Sequence, residues 1–69
     1  MLVKRSFTLA GHRTSVALEP EFWQALAAIA TSRSHTMAAL VAEVDVARGP
    51  AKPLASALRV YALTQPAPR

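Results

Sequence analysis

The sequence predicts a small, mainly helical α+β domain: one short β-strand, two amphipathic helices, and a third helix at the carboxyl end. Three observations carry this. Residues 13–18 alternate with period two, three later segments place apolar residues at helical spacing, and cap or breaker residues fall between them. Sixty-nine residues leave room for one domain.

In Arg13-Thr14-Ser15-Val16-Ala17-Leu18 the alternation places Thr14, Val16 and Leu18 on one face and Arg13, Ser15 and Ala17 on the other. Upstream, Phe7 and Leu9 alternate with Ser6 and Thr8 before Gly11 offers a bend, so residues 1–12 read either as a basic arm or as an extra strand. Pro20 suits the first turn of a helix, where its missing N–H costs nothing, and Glu19 and Glu21 sit well at the positive end of the dipole. Phe22, Leu26 and Ile29 then form an i, i+4, i+7 stripe with Trp23 beside it, predicting a helix over 20–32. Thr36 is a good N-cap for a second helix carrying Met37, Leu40, Val41 and Val44, which Gly49-Pro50 closes. A linker and a third helix with Leu54, Leu58 and Tyr61 fill 49–65, and Pro66 and Pro68 mark residues 66–69 as a tail. No internal repeat is evident.

Hydrophobic residues make up 52% of the chain, but fifteen of them are alanine. A core this small rarely supplies more than ~3–5 kcal/mol on its own. With no cysteine there is no disulfide, so the expected staple is a second copy of the chain. Charged residues interrupt every run long enough to span a bilayer, and the first residues fit a secretory signal poorly. A cytoplasmic location is expected.

Eight Lys and Arg against four Asp and Glu give a net charge of +4 and a pI near 10.8. Residues 1–18 hold Lys4, Arg5, His12 and Arg13 and no acid, which points to a polyanion such as nucleic acid. An enzyme is not expected: the two glycines lie far apart, no phosphate loop exists, and the chain is too short to enclose a ligand pocket. Neither histidine has a metal-ligand partner at helical spacing, so no metal and no cofactor are expected.

The order strand, helix, helix, together with the string Gly11-His-Arg-Thr-Ser-Val-Ala-Leu-Glu-Pro-Glu-Phe-Trp and the later Met37-Ala-Ala-Leu-Val-Ala-Glu-Val-Asp, resembles the ribbon-helix-helix family of bacterial DNA-binding proteins, of the Arc/MetJ type. The likeness runs from about Lys4 to Leu63, and its core would be residues 13–48. The resemblance implies an intertwined homodimer in which one strand from each chain pairs antiparallel, the ribbon entering the major groove of double-stranded DNA as a small transcriptional regulator. Arg13, Ser15 and Ala17 would meet base edges; Ala17 departs from the polar or basic residue common there. Lys4, Arg5, His12, Arg33 and His35, with Thr36, Met37 and Ala38 at the start of the second helix, would meet phosphates. Related proteins commonly have a glycine in the inter-helix turn, where this chain has Arg33-Ser34-His35. Val16, Leu18, Phe22, Trp23, Leu26, Ile29, Met37, Leu40, Val41 and Val44 would fill the dimer core. Two alternatives stand beside this: a dimeric, antitoxin-like adaptor that docks a partner protein on the third helix, and a nonspecific DNA-coating protein.

Overall fold

Two strands precede the helices, the first of them in the segment read as a basic arm or an extra strand. In a computed structural model, which describes residues 1–65, β1 (Val3–Leu9) and β2 (His12–Leu18) pair antiparallel; the expected tail, residues 66–69, lies outside the described residues. Leu9 pairs with His12, so only Ala10 and Gly11 form the loop, and both have positive φ, 51° and 81°. That is the signature of a type I′ turn, whose twist matches that of the flanking strands. This hairpin lies within one chain. Closing a two-residue loop costs far less entropy than recruiting a strand from elsewhere, and the alternation of residues 5–9 supplies a partner face in register.

Pro20–Ser32 forms α1, with Pro20 in the first turn and the Glu19 carbonyl accepting from the Phe22 and Trp23 amides at 3.0 and 3.3 Å. Its end is tight although glycine is absent. Ser34 takes the left-handed conformation at φ 56°, His35 N–H donates to Ala30 O at 2.8 Å, and Ser34 N–H donates to Thr31 O at 3.1 Å. These two bonds are the 6→1 and 5→2 pair of a Schellman stop. Met37–Ala47 forms α2, and the Thr36 hydroxyl accepts from the Ala39 amide at 3.0 Å, satisfying one of the orphan donors of the first turn. Leu54–Thr64 forms α3.

The helices close one core beneath the ribbon. Val16, Leu18, Trp23, Leu26, Ile29, Leu40, Val41 and Val44 are buried in the single chain, with Phe22 and Met37 packed against them. Leu9, Ala30, Leu54, Ala57 and Leu58 complete the cluster. The side chains expected in a dimer core are buried within the single chain, where α3 packs against α1, α2 and β2. For the same reason Leu54 and Leu58, expected on a docking surface, are buried, and the exposed large apolar residues of α3 are Val60 and Leu63. Among the described residues, no helix is long and apolar enough to cross a membrane.

Candidate nucleic-acid interface

Alternation divides the ribbon into two unlike faces. Toward the helices, Phe7, Leu9, Thr14, Val16 and Leu18 are buried or half-buried. On the opposite face, Lys4 lies beside Ala17, Ser6 beside Ser15, and Thr8 beside Arg13. All of these are exposed except Ala17, which is half-buried, and none is a large apolar residue. The Ser6 and Ser15 hydroxyls are 3.0 Å apart and bonded to each other, with either able to donate. Sequence reasoning had placed Arg13, Ser15 and Ala17 on an outward face; it did not assign Ser6 and Thr8, whose alternation was visible but whose strand had no partner until the register was known.

β1 is anchored from below by the one tryptophan of the chain. Trp23 is 3% exposed, and its indole N–H donates to the Val3 carbonyl at 2.8 Å. Its ring meets Phe7 at a centroid distance of 6.0 Å, and the Arg5 guanidinium carbon lies 5.3 Å from a Trp23 ring centroid. Arg5 therefore belongs to the helix-facing side of β1 and covers Trp23 in a cation–π contact, apart from the outward Lys4.

The electrostatics of the body sharpen the contrast. Across residues 19–65 four basic and four acidic side chains cancel. Arg33 pairs with Glu43 through both guanidinium nitrogens, at 2.8 and 3.0 Å, and Arg33 also reaches the Tyr61 hydroxyl, tying the end of α1 to α2 and α3. Arg48 pairs with Asp45 at 2.8 Å, and Arg59 with Glu19 at 3.0 Å. The hydrogen bond from Arg33 holds the Glu43 carboxyl below the usual carboxylate range; the Glu19 carboxyl is lowered by its backbone hydrogen bond and then by Arg59. What remains as positive excess among the described residues is Lys4, Arg5 and Arg13, all on the ribbon.

The other expected phosphate ligands fall into two groups. His12 is exposed at the start of β2, and helix geometry leaves the Met37 and Ala38 amides without intrahelical acceptors beside the Thr36 cap. Arg33 is committed to Glu43 and Tyr61, and His35 is half-buried, its Nδ1 enclosed with no hydrogen-bond partner. Ala10, Arg13 and Thr8 lie at the loop end of the ribbon, and Lys4 and Ala17 at the end nearer the helices.

A family model described as a ribbon-helix-helix domain matches residues 2–65, which is nearly the whole chain. Neither the curated proteins nor the solved structures hold a match.

Proposed function

The chain belongs to the ribbon-helix-helix family, whose members are generally DNA-binding transcription regulators, and on that premise we propose that it binds double-stranded DNA by laying the outer face of its hairpin in the major groove, as a small transcriptional regulator. One observation carries the reading: the body neutralises its own charges, so the positive excess of the described residues stands on a two-stranded ribbon whose outer face is polar. Two strands about 4.8 Å apart, with their side chains, suit a groove about 12 Å wide. Arg13 offers a guanidinium fork to guanine O6 and N7, Ser15 a short adaptable hydroxyl, and Ala17 a methyl for thymine. Lys4, His12 and Thr36, with the Met37 and Ala38 amides, meet phosphates. Arg5, Arg33 and His35, which the fold ties inward, add to the field more than to the contacts.

The working form in this reading is a homodimer. The chain has 69 residues and fifteen alanines, and it leaves Val46 and Leu63 exposed at 86% and 76%, so a second copy adds burial that one small core lacks. Light scattering at micromolar concentration is expected to give twice the 7.4 kDa chain mass; a monomer that binds DNA at full strength would remove this part of the reading. The DNA reading is tested by fluorescence anisotropy with a labelled duplex across a salt series. If a dimer neutralises about six phosphates, log K falls with log salt at a slope near −5, and a flat response sinks the mechanism. Arg13→Ala is expected to cost about 1–3 kcal/mol on preferred DNA, and much less on random DNA. Equal losses on both would make the protein a nonspecific coat.

A further inference from the structure

Among the described residues, one hydrogen bond joins side chains on the outward face of the ribbon. Ser6 and Ser15 stand opposite one another in the β1–β2 register, and their hydroxyl oxygens are 3.0 Å apart. Ser15 is one of the side chains that the DNA-binding reading sets against base edges. Alone on an exposed strand it would be a loose reader, because its oxygen samples the staggered χ1 wells and its proton turns freely about the C–O bond. The bond to Ser6 selects the rotamers in which the two oxygens meet. It also occupies one hydrogen-bonding position of the Ser15 hydroxyl and leaves a proton or a lone pair for a base.

We propose that Ser6 is a positioning residue for Ser15: it touches no base, but by bonding the Ser15 hydroxyl it orders that group before DNA arrives and keeps it paired once bases exclude water. This rests on the DNA-binding reading above and adds to it a role for β1. The two-stranded sheet has the order β1-β2, so β1 covers one edge of β2 and leaves the other open. The bond is internal to one hairpin, and each chain of a homodimer carries its own Ser6–Ser15 pair.

The bond counts in the complex and hardly at all in the free protein. Both serines are exposed, so in solution water replaces either partner at almost no cost. Against a base pair that water is displaced, and a hydroxyl left short of a partner forfeits the worth of a hydrogen bond. The pair also runs in either direction. When Ser6 donates, Ser15 keeps its proton for guanine O6 or N7, adenine N7 or thymine O4; when Ser15 donates to Ser6, its oxygen accepts from the amino group of cytosine or adenine. Ser6 therefore sets how firmly Ser15 reads, and the base pair sets which way the protons point. The other outward residues of β1 do not share this role. Lys4 faces Ala17, which has no polar group to order, and Thr8 faces Arg13 without a side-chain hydrogen bond among the described residues.

A double-mutant cycle on DNA tests the proposal. A preferred element is selected from a random duplex library with the full chain. Affinities of the wild type, Ser6→Ala, Ser15→Ala, the double variant and Ser6→Thr are then measured for that element and for a random duplex by fluorescence anisotropy, with thermal melts alongside. Ser6→Ala is expected to weaken binding to the element by about 3- to 10-fold, the worth of one neutral hydrogen bond, while affinity for the random duplex and the melt stay unchanged. The loss disappears in the Ser15→Ala background, and Ser6→Thr, which keeps the hydroxyl, restores affinity. A loss that persists undiminished without Ser15 would mean that Ser6 meets DNA itself. Equal losses on both duplexes, or a lower melt, would make its role structural, and an unchanged affinity would mean that Ser15 needs no partner; each of these results overturns the proposal. Preference that Ser15→Ala leaves untouched removes Ser15 as a reader and the role of Ser6 with it, yet keeps the DNA-binding reading standing on Arg13. Salt-dependent binding with no enriched element overturns both the positioning role and sequence-specific recognition.

Discussion

Replacing Trp23 with Phe separates the anchor of the first strand from the rest of the core. The indole N–H donates to Val3 O at 2.8 Å and the ring supports both Phe7 and Arg5, so the substitution removes one hydrogen bond, a cation–π surface and the volume of a fused ring. The lost bond is worth about 1 kcal/mol, and leaves a carbonyl short of a partner. Truncating the ring in a site only 3% exposed adds about 1–2 kcal/mol, a fraction of the 3–5 measured for removing an aromatic side chain entirely. The expected sum is about 2–3 kcal/mol. Against a total of roughly 3–10 kcal/mol for a chain of this size the variant stays folded, with a melting temperature lower by about 10–20 °C. Far-UV circular dichroism measures the melt, since the substitution deletes the only tryptophan. Amide exchange then locates the damage: residues 3–7 should lose more protection than α2. A loss under about 0.5 kcal/mol, or exchange that quickens in α2 before β1, would show that Trp23 does not hold the ribbon to the body.

Three other perturbations bear on separate parts of the fold. Ser34→Gly relieves a left-handed residue at φ 56° and is expected to raise the urea midpoint, with a net gain of about 0.5–1 kcal/mol after the added freedom of the unfolded chain; a lower midpoint at unchanged slope would refute the left-handed stop. Leu58→Ala opens a hole at a fully buried position of α3 and should cost about 2–5 kcal/mol, whereas a helix that only waits for a partner protein would show no change. Glu43 and Glu19 have folded-state carboxyls below their usual value of 4.5. Their contribution is therefore complete above the unfolded value and lost as pH falls through the lower folded one. Stability should decline on acidification below about pH 5, and Glu43→Gln should flatten that limb while leaving neutral-pH binding to DNA intact; an unchanged acid limb would remove the Arg33–Glu43 pair from the account.

The sequence announced the helices well because their boundaries are chemically loud. Pro20, Thr36 and the Gly49-Pro50 break lie at the ends where the structure begins α1, caps α2 and ends it, and each acts through local backbone chemistry that needs no tertiary context. The faces of β2 were legible for a related reason: alternation specifies which side chains go inward once any body exists to cover them. The pairing of β1 was less so. Ala10-Gly11 is a weaker hairpin signal than Asn-Gly, since alanine gains nothing from positive φ, and only the register shows which residue of β1 faces which of β2. The third helix was legible only in part. Its stripe of Leu54, Leu58 and Tyr61 was plain, but a stripe states that something covers it and not what; in the fold α3 covers the other helices of its own chain. Arg33 was read as free because its partner Glu43 lies ten residues away on another helix, a contact that spacing along one helix cannot foretell.

The division of the ribbon into faces has a consequence for how such a chain can change. Every outward position of the ribbon, from Lys4 to Ala17, lies outside the buried cluster, and the contacts that hold the ribbon down, Trp23 to Val3 and Phe7 among them, use the inner side or the backbone. Substitution at Lys4, Ser6, Thr8, Arg13 or Ser15 therefore removes no packed volume and leaves no buried polar group unpaired, the two main sources of large destabilisation. The arginines of the body answer the complementary need. By holding Glu19, Glu43 and Asp45 in ion pairs, they keep carboxylates from weakening the field of the three ribbon cations. In the proposed reading, target preference can thus vary at almost constant stability. Thermal melts of the Lys4, Ser6 and Arg13 variants should coincide with the wild type to within about 0.5 kcal/mol even where their selected DNA elements differ, and a melt that falls together with specificity at these positions would mean that the outer face is part of what folds the chain.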